Sequence, residues 1–592
     1  MARTATRLTA AAARQAVTGR THDREVDLLV AGAGAGGMTA ALVAAIEGLD
    51  VLVCESSQQV GGTTSTSAGT IWIPGNRASL AAGFDDSAAK AATYLQALAG
   101  TAATDAAVRA FLDTGPDAID YLAQRTDVQF VPCGRHPDYR PDLPGAAIAG
   151  RALATVPFDG RLLGDAFARV RPPIREFLLF GGMMVGKADI PRLVDRYGSP
   201  GNVVHATRLV LRFLRDRLRY PRGTRLTMGN ALVARLFHSL RKRDVEMLFN
   251  ARVRDVLREG ERVTGAVVDC EGRELRVFAR HGVVLATGGI GHHRALRERF
   301  MPKPTPQHSL AAESDVGDGI EMAERAGARL DALPPGGLWT PASVTHHPAG
   351  RTGLYPHLVL DRAKPGLIAV NAAGRRFVDE SVSYHDFVEA MFAAQETTPS
   401  IPAHLVCDAR FIRRYGLGAI FPSVRDLARF ERSGYLLTAA TLDALASKLG
   451  VDGAGLRATV ERFNRFAAHG QDPEFGKGTS ELGRFNGDPA HAPNPCVAPL
   501  VEAPFHAVTV WPAALASSSG IATDEHARAL DATGLPIDGL YACGNDMASV
   551  MKGRYPGPGT TLGPAITFGY IAAMHATRAR VNATAAVAAP AD

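Results

Sequence analysis

The chain has 592 residues, 46% of them hydrophobic and 21% charged, which is ordinary for a globular protein and more than one core can organise, so two or more domains are expected. A balance of 65 Lys+Arg against 59 Asp+Glu leaves only +6 over a large surface, too dilute for a nucleic-acid footprint. The six cysteines (Cys54, Cys133, Cys270, Cys407, Cys496, Cys543) stand singly, which excludes a readable disulfide framework or zinc site and points to a reducing compartment.

Residues 1–24 are basic and Ala-rich without an apolar signal region, so a disordered leader and a cytoplasmic location are expected, although the Arg-rich, acid-poor composition also suits a transit peptide. Val26 to Ala31 reads as a buried parallel strand, followed by Gly32-Ala33-Gly34-Ala35-Gly36-Gly37, a helix over Met38 to Glu47 and a second strand, Val51 to Cys54, that ends at Glu55. This is a βαβ unit with a dinucleotide turn. Gly32 serves the tight turn, Gly34 and Gly36 leave room for a pyrophosphate at the helix N-terminus, and Gly37 lets helix and strand pack closely. Glu55, 18 positions past Gly37, is placed to accept from ribose hydroxyls. Gly61-Gly62-Thr63-Thr64-Ser65 continues the run of small residues and, with Gly69, points to FAD rather than NAD. No histidine lies between Gly61 and Asn76, so the flavin is expected to be non-covalent.

Asp165 to Arg225 is a helical insertion. On its helix from Asn202 to Tyr220, His205, Arg208, Arg212, Arg215 and Arg219 share one face, and Leu211, Leu214 and Leu218 are expected to face the body. The basic face reads as solvated, with peripheral membrane contact through 202–220 as the alternative. Further strand-to-glycine turns at Gly282–Gly289, containing Thr287 and Gly288, and at Gly539–Asn545, containing Gly544 and Asn545, imply that the nucleotide domain is built from distant segments. The expected architecture is therefore α/β: a Rossmann-like FAD-binding domain over 25–339 and 503–578, an inserted α+β substrate domain over 340–502, and a disordered tail over 579–592.

Four segments narrow the chemistry: Thr70-Ile71-Trp72-Ile73-Pro74, Asp138-Tyr139-Arg140-Pro141, Ser383-Tyr384-His385-Asp386-Phe387 and Tyr555 to Gly569, whose YPGPGTTLGPAITFG is the most specific. With them, residues 25–575 resemble the 3-ketosteroid Δ1-dehydrogenases, within the flavoprotein superfamily that includes fumarate reductases. The chain departs from that family at Ala68-Gly69-Thr70, where a glycine run is usual, and in the length of the 165–225 segment. The resemblance implies that Tyr384 takes the C2 proton, that Tyr139 is its hydrogen-bond partner, and that Gly559 and Leu562 adjoin the flavin. From the residues themselves, Tyr555 O–H and the Gly559 N–H can both donate to one ketone oxygen, because prolines stiffen the loop and Gly559 offers no obstructing side chain. The expected substrate is an apolar cyclic ketone of the 3-ketosteroid type, with a quinone or similar electron acceptor, because only one complete dinucleotide unit is present.

Competing readings are a dehydrogenase of a smaller ring ketone or of the Δ4 bond, a fumarate-reductase-like enzyme, and a flavin-binding protein without turnover. The second lacks its acid, since Tyr384 stands where the resemblance to fumarate reductases would place arginine. His346 and His347 are expected to be structural or solvent-facing, Arg375 and Arg376 do not discriminate, and Cys543 reads as packed under the flavin loop.

Overall fold

The computed structural model describes residues 23–588 apart from 101–104, 187–188, 196, 348–349, 423 and 425. Leu28–Ala31 is a continuous aliphatic run and Val51–Glu55 an apolar run that ends in an acid, every residue of both buried, as parallel strands covered on both faces require. They lie at the centre of a six-stranded sheet in the order 246–249, 51–55, 28–31, 283–285, 536–542, 528–530. All its pairings are parallel except the last. The glycine turn leads into the helix Ala35–Ile46, against which the C-terminal helix Leu562–Ala588 packs.

Two local expectations are corrected here. The run from Val26 to Ala31 is not one strand: Asp27 accepts from Asp50 N at 2.9 Å and from Arg280 at 2.8 Å, and this polar break sends Asp23–Val26 into a separate four-stranded sheet beside 273–279. The chain past Arg578, expected to be a disordered tail, continues as helix to Ala588, and 589–592 lie outside the described residues, as does the leader up to residue 22.

A second sheet of seven strands is organised around the long strand Phe505–Ser517, which pairs with 337–346, 403–407, 308–309 and 437–439. This sheet draws strands from before Thr340 and after Glu502, so both expected boundaries fall inside its span. Its central strand delivers Leu515 and Ala516 to the nucleotide domain. Behind it, Arg376 bonds both Glu380 and Asp472, and Lys477 lies 3.3 Å from Glu380, all four buried. This closed set of charges fastens the turn that leads to Tyr384.

The insertion folds as the helix Pro200–Arg217 with shorter pieces around it. Its leucines do not face the body: Leu211, Leu214 and Leu218 are 60%, 55% and 88% exposed, whereas Phe213 and Asp216 are buried. The helix is rolled this way because Asp216 accepts from Thr224 N at 2.8 Å and pairs with Arg161, and His205 and Arg212 pair inward with Asp189 and Asp159. Those ion pairs and hydrogen bonds set the inward face in place of a leucine stripe. Among the described residues, no helix is long and apolar enough to cross a membrane, and all six cysteines are free thiols.

Candidate active site

An open cleft runs from the first glycine turn to the end of the long strand. Gly32, Gly34, Gly36, Glu55, Gly62, Thr63, Thr64, Thr287, Gly288, Gly544, Asn545 and Leu562 line it. At Gly32, φ is +104° and a Cβ would stand 2.2 Å from Ala286 O, so the turn admits only glycine. A Cβ on Gly34 would meet nothing nearer than Thr64 Oγ1 at 4.0 Å, because that face opens into the cleft. A side chain there would fill the space that a pyrophosphate needs at the N-terminus of Ala35–Ile46. Glu55 is held across the turn, its Oε2 accepting from Ala33 N at 3.0 Å and its Oε1 from Ser57 N at 2.9 Å. The residues present therefore fit an adenine dinucleotide.

Three residues expected at the cofactor do not line the cleft. Gly37 packs beneath it, where a Cβ would stand 2.0 Å from Gly32 O; Gly69 packs on the backbone of Met228 and Gly229; Gly559 packs on Ile71. Their smallness serves close packing of backbone on backbone. Conversely, Arg252, Ser314, Asp315 and Asp318 line the cleft without having been singled out in the sequence. Thr63 Oγ1 donates to Asp315 Oδ2 at 2.6 Å, and burial pushes this carboxyl up to about 8. Asp546 accepts from Thr287 N at 2.5 Å and Gly289 N at 2.8 Å, tying two of the glycine turns together. No local motif marks either aspartate, since each meets its partner only through the tertiary fold. Cys543 is buried against Gly36.

Leu515 and Ala516 line the cleft and also pack against a buried cluster made of Tyr139, Tyr384, Tyr555, Leu338 and Leu482, with Leu358 at its edge. The three tyrosines come from distant segments. Their hydroxyls form a line, Tyr139 to Tyr384 at 3.1 Å and Tyr384 to Tyr555 at 2.9 Å. Tyr384 is the first residue of the helix Tyr384–Gln395, whose N-cap Ser383 accepts from Asp386 N at 3.0 Å. Tyr139 and the Tyr555 loop are zipped together: Tyr139 N and Tyr94 O–H both donate to Pro556 O at 2.8 Å. Asp138, next to Tyr139, accepts from Trp72 Nε1 at 2.9 Å and from buried Arg151 at 2.7 Å. Gly559 closes the same loop, its carbonyl accepting from Gly563 N at 3.0 Å and Trp72 N at 3.3 Å. Burial pushes all three phenols well above the ordinary tyrosine range, so an unassisted phenolate would be scarce at neutral pH. His347 stands apart from the cluster, 2.9 Å from Glu176, where it ties the insertion to the end of strand 337–346, and His346 is exposed.

Residues 27–562 match the family model described as FAD binding domain. A 4-oxocyclohex-2-ene-1-carboxylate 5-dehydrogenase of Sinomonas cyclohexanicum is 39% identical over 93% of this chain and 94% of its own. A 3-oxosteroid 1-dehydrogenase of Mycobacterium tuberculosis is 36% identical over 93% of this chain and 98% of its own. The crystal structure of the 3-ketosteroid Δ1-dehydrogenase of Sterolibacterium denitrificans, in complex with 1,4-androstadiene-3,17-dione, superposes with a TM-score of 0.88 at 36% identity, covering 94% of this chain and all of that one. The cofactor is thus FAD, the enzyme class is that of oxidoreductases acting on CH–CH donors, and the chain belongs to the 3-oxosteroid 1-dehydrogenase family of FAD-binding flavoproteins.

Proposed function

We propose that the protein introduces a C=C bond beside the ketone of an apolar ring substrate, as in Δ1-dehydrogenation of a 3-ketosteroid. The observation that carries this reading is the line of three phenols at the end of the cleft, walled by Leu338, Leu358, Leu482 and Leu515. FAD, when bound, supplies the hydride acceptor. The chain supplies the rest. Tyr555 O–H and Gly559 N–H hold the ketone oxygen and stabilise charge that builds there as the α-proton leaves. Tyr384 takes that proton from C2, and Tyr139, bonded to it at 3.1 Å, steadies the phenolate and passes the proton on.

The relative that acts on an oxocyclohexene carboxylate raises a second reading, a small ring ketone carrying a carboxylate. Such a substrate needs a cation at its far end, and the wall made by Leu338, Leu358, Leu482 and Leu515 offers none. Anaerobic reduction of the bound flavin, followed by absorbance with a panel of 3-ketosteroids, cyclohexanones and 4-oxocyclohexanecarboxylates, tests both. Bleaching by steroids at low concentration supports the first reading, bleaching by the carboxylates alone selects the second, and no bleaching by any ketone would sink both. A quinone is the electron acceptor that fits this reading.

Glu55 fits the ribose end of the cofactor. Glu55→Ala is expected to weaken FAD retention by about 10- to 100-fold, the loss of charged hydrogen bonds to a neutral donor. Fluorescence of FAD released on dilution measures it, and unchanged retention would remove Glu55 from the site.

The exposed Leu211, Leu214 and Leu218, with exposed Arg208, Arg215 and Arg219 around them, suit a peripheral contact with anionic membrane, from which an apolar substrate could enter. In sedimentation with vesicles, Leu211→Asp together with Leu218→Asp should abolish binding to anionic lipid. Equal recovery of wild type and variant in the supernatant would refute the contact. The free thiols fit a cytoplasmic location for this membrane-associated enzyme.

A further inference from the structure

Arg362 is 3% exposed and lies between strands 352–356 and 367–370. A buried guanidinium is ordinarily matched by a carboxylate, because a charge removed from water is costly without one. The side chain of Arg362 instead donates only to main-chain carbonyls: Nε to His357 at 2.9 Å, Nη1 to Glu380 at 2.9 Å and Val382 at 3.2 Å, and Nη2 to Leu358 at 3.0 Å. Neighbouring carboxylates take their hydrogen bonds from other groups, although Asp361, Asp379 and Glu380 still act on the guanidinium through space. Asp361 is held by His357 Nδ1 at 2.6 Å, by Gly418 N and by the Arg362 backbone N–H, Glu380 by Arg376 and Lys477, and Asp379 by Ser381.

The groups that Arg362 holds surround Tyr384. Val382 is two residues before it, and the Leu358 side chain packs against the tyrosine cluster. Phe387, one turn further along the helix that Tyr384 opens, faces the guanidinium with its ring centre 4.9 Å from Cζ. One buried cation thus ties together the segment before the phenol, the helix after it and the wall beside it.

We propose that Arg362 is a positioning residue for proton abstraction: it fixes the segment that presents Tyr384 and supplies the positive charge against which the Tyr384 phenolate forms. The proposal rests on Tyr384 being the base. In that step Tyr384 first gives its proton to Tyr139 as Tyr139 releases its own proton outward to water, leaving Tyr139 neutral and Tyr384 as phenolate. The phenolate oxygen then forms an O–H bond to the C2 proton as the C2–H bond breaks, its electron pair becoming the new C=C while hydride leaves C1 for the acceptor. A fixed cation favours the charged phenol before the transfer without having to reorganise. The other polar groups around Tyr384 do not provide it: Tyr139 and Tyr555 are neutral phenols, burial holds the adjacent His385 down to about 3 and so uncharged, and Asp386 is acidic and faces Arg140 and Arg554. Consistently, Arg362 acts to lower both Tyr384 and Tyr139 against the larger effect of burial.

The test compares Arg362→Gln and Arg362→Lys, both with FAD bound, by kcat/KM against pH on the fastest ketone and by a phenolate absorbance titration without substrate, each titration read against Tyr384→Phe. Arg362→Gln should raise the pKa of the acid limb by about one unit, a tenfold loss near neutrality that is recovered at high pH with KM little changed. Arg362→Lys, which keeps the charge, should stay within about half a unit of wild type. A uniform loss at every pH in Arg362→Gln, or a shift in Arg362→Lys of more than that half unit, would overturn the proposal and leave Arg362 a structural clamp. Should Arg362→Gln not fold, the Arg362→Lys profile decides alone by the same half-unit criterion. Failure of the underlying base reading is visible separately, as wild-type turnover in Tyr384→Phe.

Discussion

Tyr384→Phe is expected to lower turnover by about a thousandfold or more while FAD and a ketone ligand stay bound. The substitution removes one oxygen and leaves the ring, which packs between Tyr139 and Tyr555 with centroid distances of 5.4 Å and 5.2 Å. The helix that begins at Tyr384 keeps its Ser383 cap, so the fold should persist. On the proposed reading Tyr555 and Gly559 still hold the ketone oxygen, so substrate affinity should survive when proton abstraction does not. Stopped-flow reduction of the bound flavin, beside a direct measurement of ketone affinity, separates the two. Turnover near wild type in this variant would mean that another residue is the base.

Tyr555→Phe is expected to cost about 100- to 1000-fold, the range found when one donor to a developing oxyanion is removed. Its signature differs from that of Tyr384→Phe. On the proposed reading the ground-state carbonyl also uses this hydroxyl, so part of the loss should appear in KM and part in kcat. Tyr384 O–H donates to Tyr555 at 2.9 Å, a bond of the neutral phenol, so its loss should not move the acid limb of the rate profile upward in pH. The variant profile is read against that of wild type on the same ketone. A change confined to KM would reduce Tyr555 to a binding contact.

The two effects depend on groups brought together in different ways. The glycine turn, the helix after it and Glu55 were legible because their geometry is local. Gly32 must adopt a left-handed φ beside Ala286, Gly34 must leave its face open, and the next strand ends at an acid, all within one contiguous βαβ unit. Tyr139, Tyr384 and Tyr555 were singled out through four short segments, yet the distances between their hydroxyls follow from the zipper onto Pro556 and the cap at Ser383. Packing was legible at Gly37, whose place in the turn sets helix against strand, but not at Gly69 and Gly559, whose close approach to Met228 and Ile71 is made only in the tertiary fold.

The sequence by itself determined the nucleotide turn, the α/β plan and the kind of cofactor, because those depend on short runs of residue type and spacing, and it singled out the three tyrosines for which the roles above are proposed. Only the tertiary structure decided that Asp27 splits the first strand, that the leucines of the insertion face outward, that Asp315 reaches the cleft while Asp546 ties two glycine turns together, and that Arg362 holds the segment before Tyr384 through main-chain carbonyls. Each of these is settled by which distant partner satisfies a buried charge or hydrogen bond, and that choice is made when the long strand Phe505–Ser517 and the turns around it are brought into register.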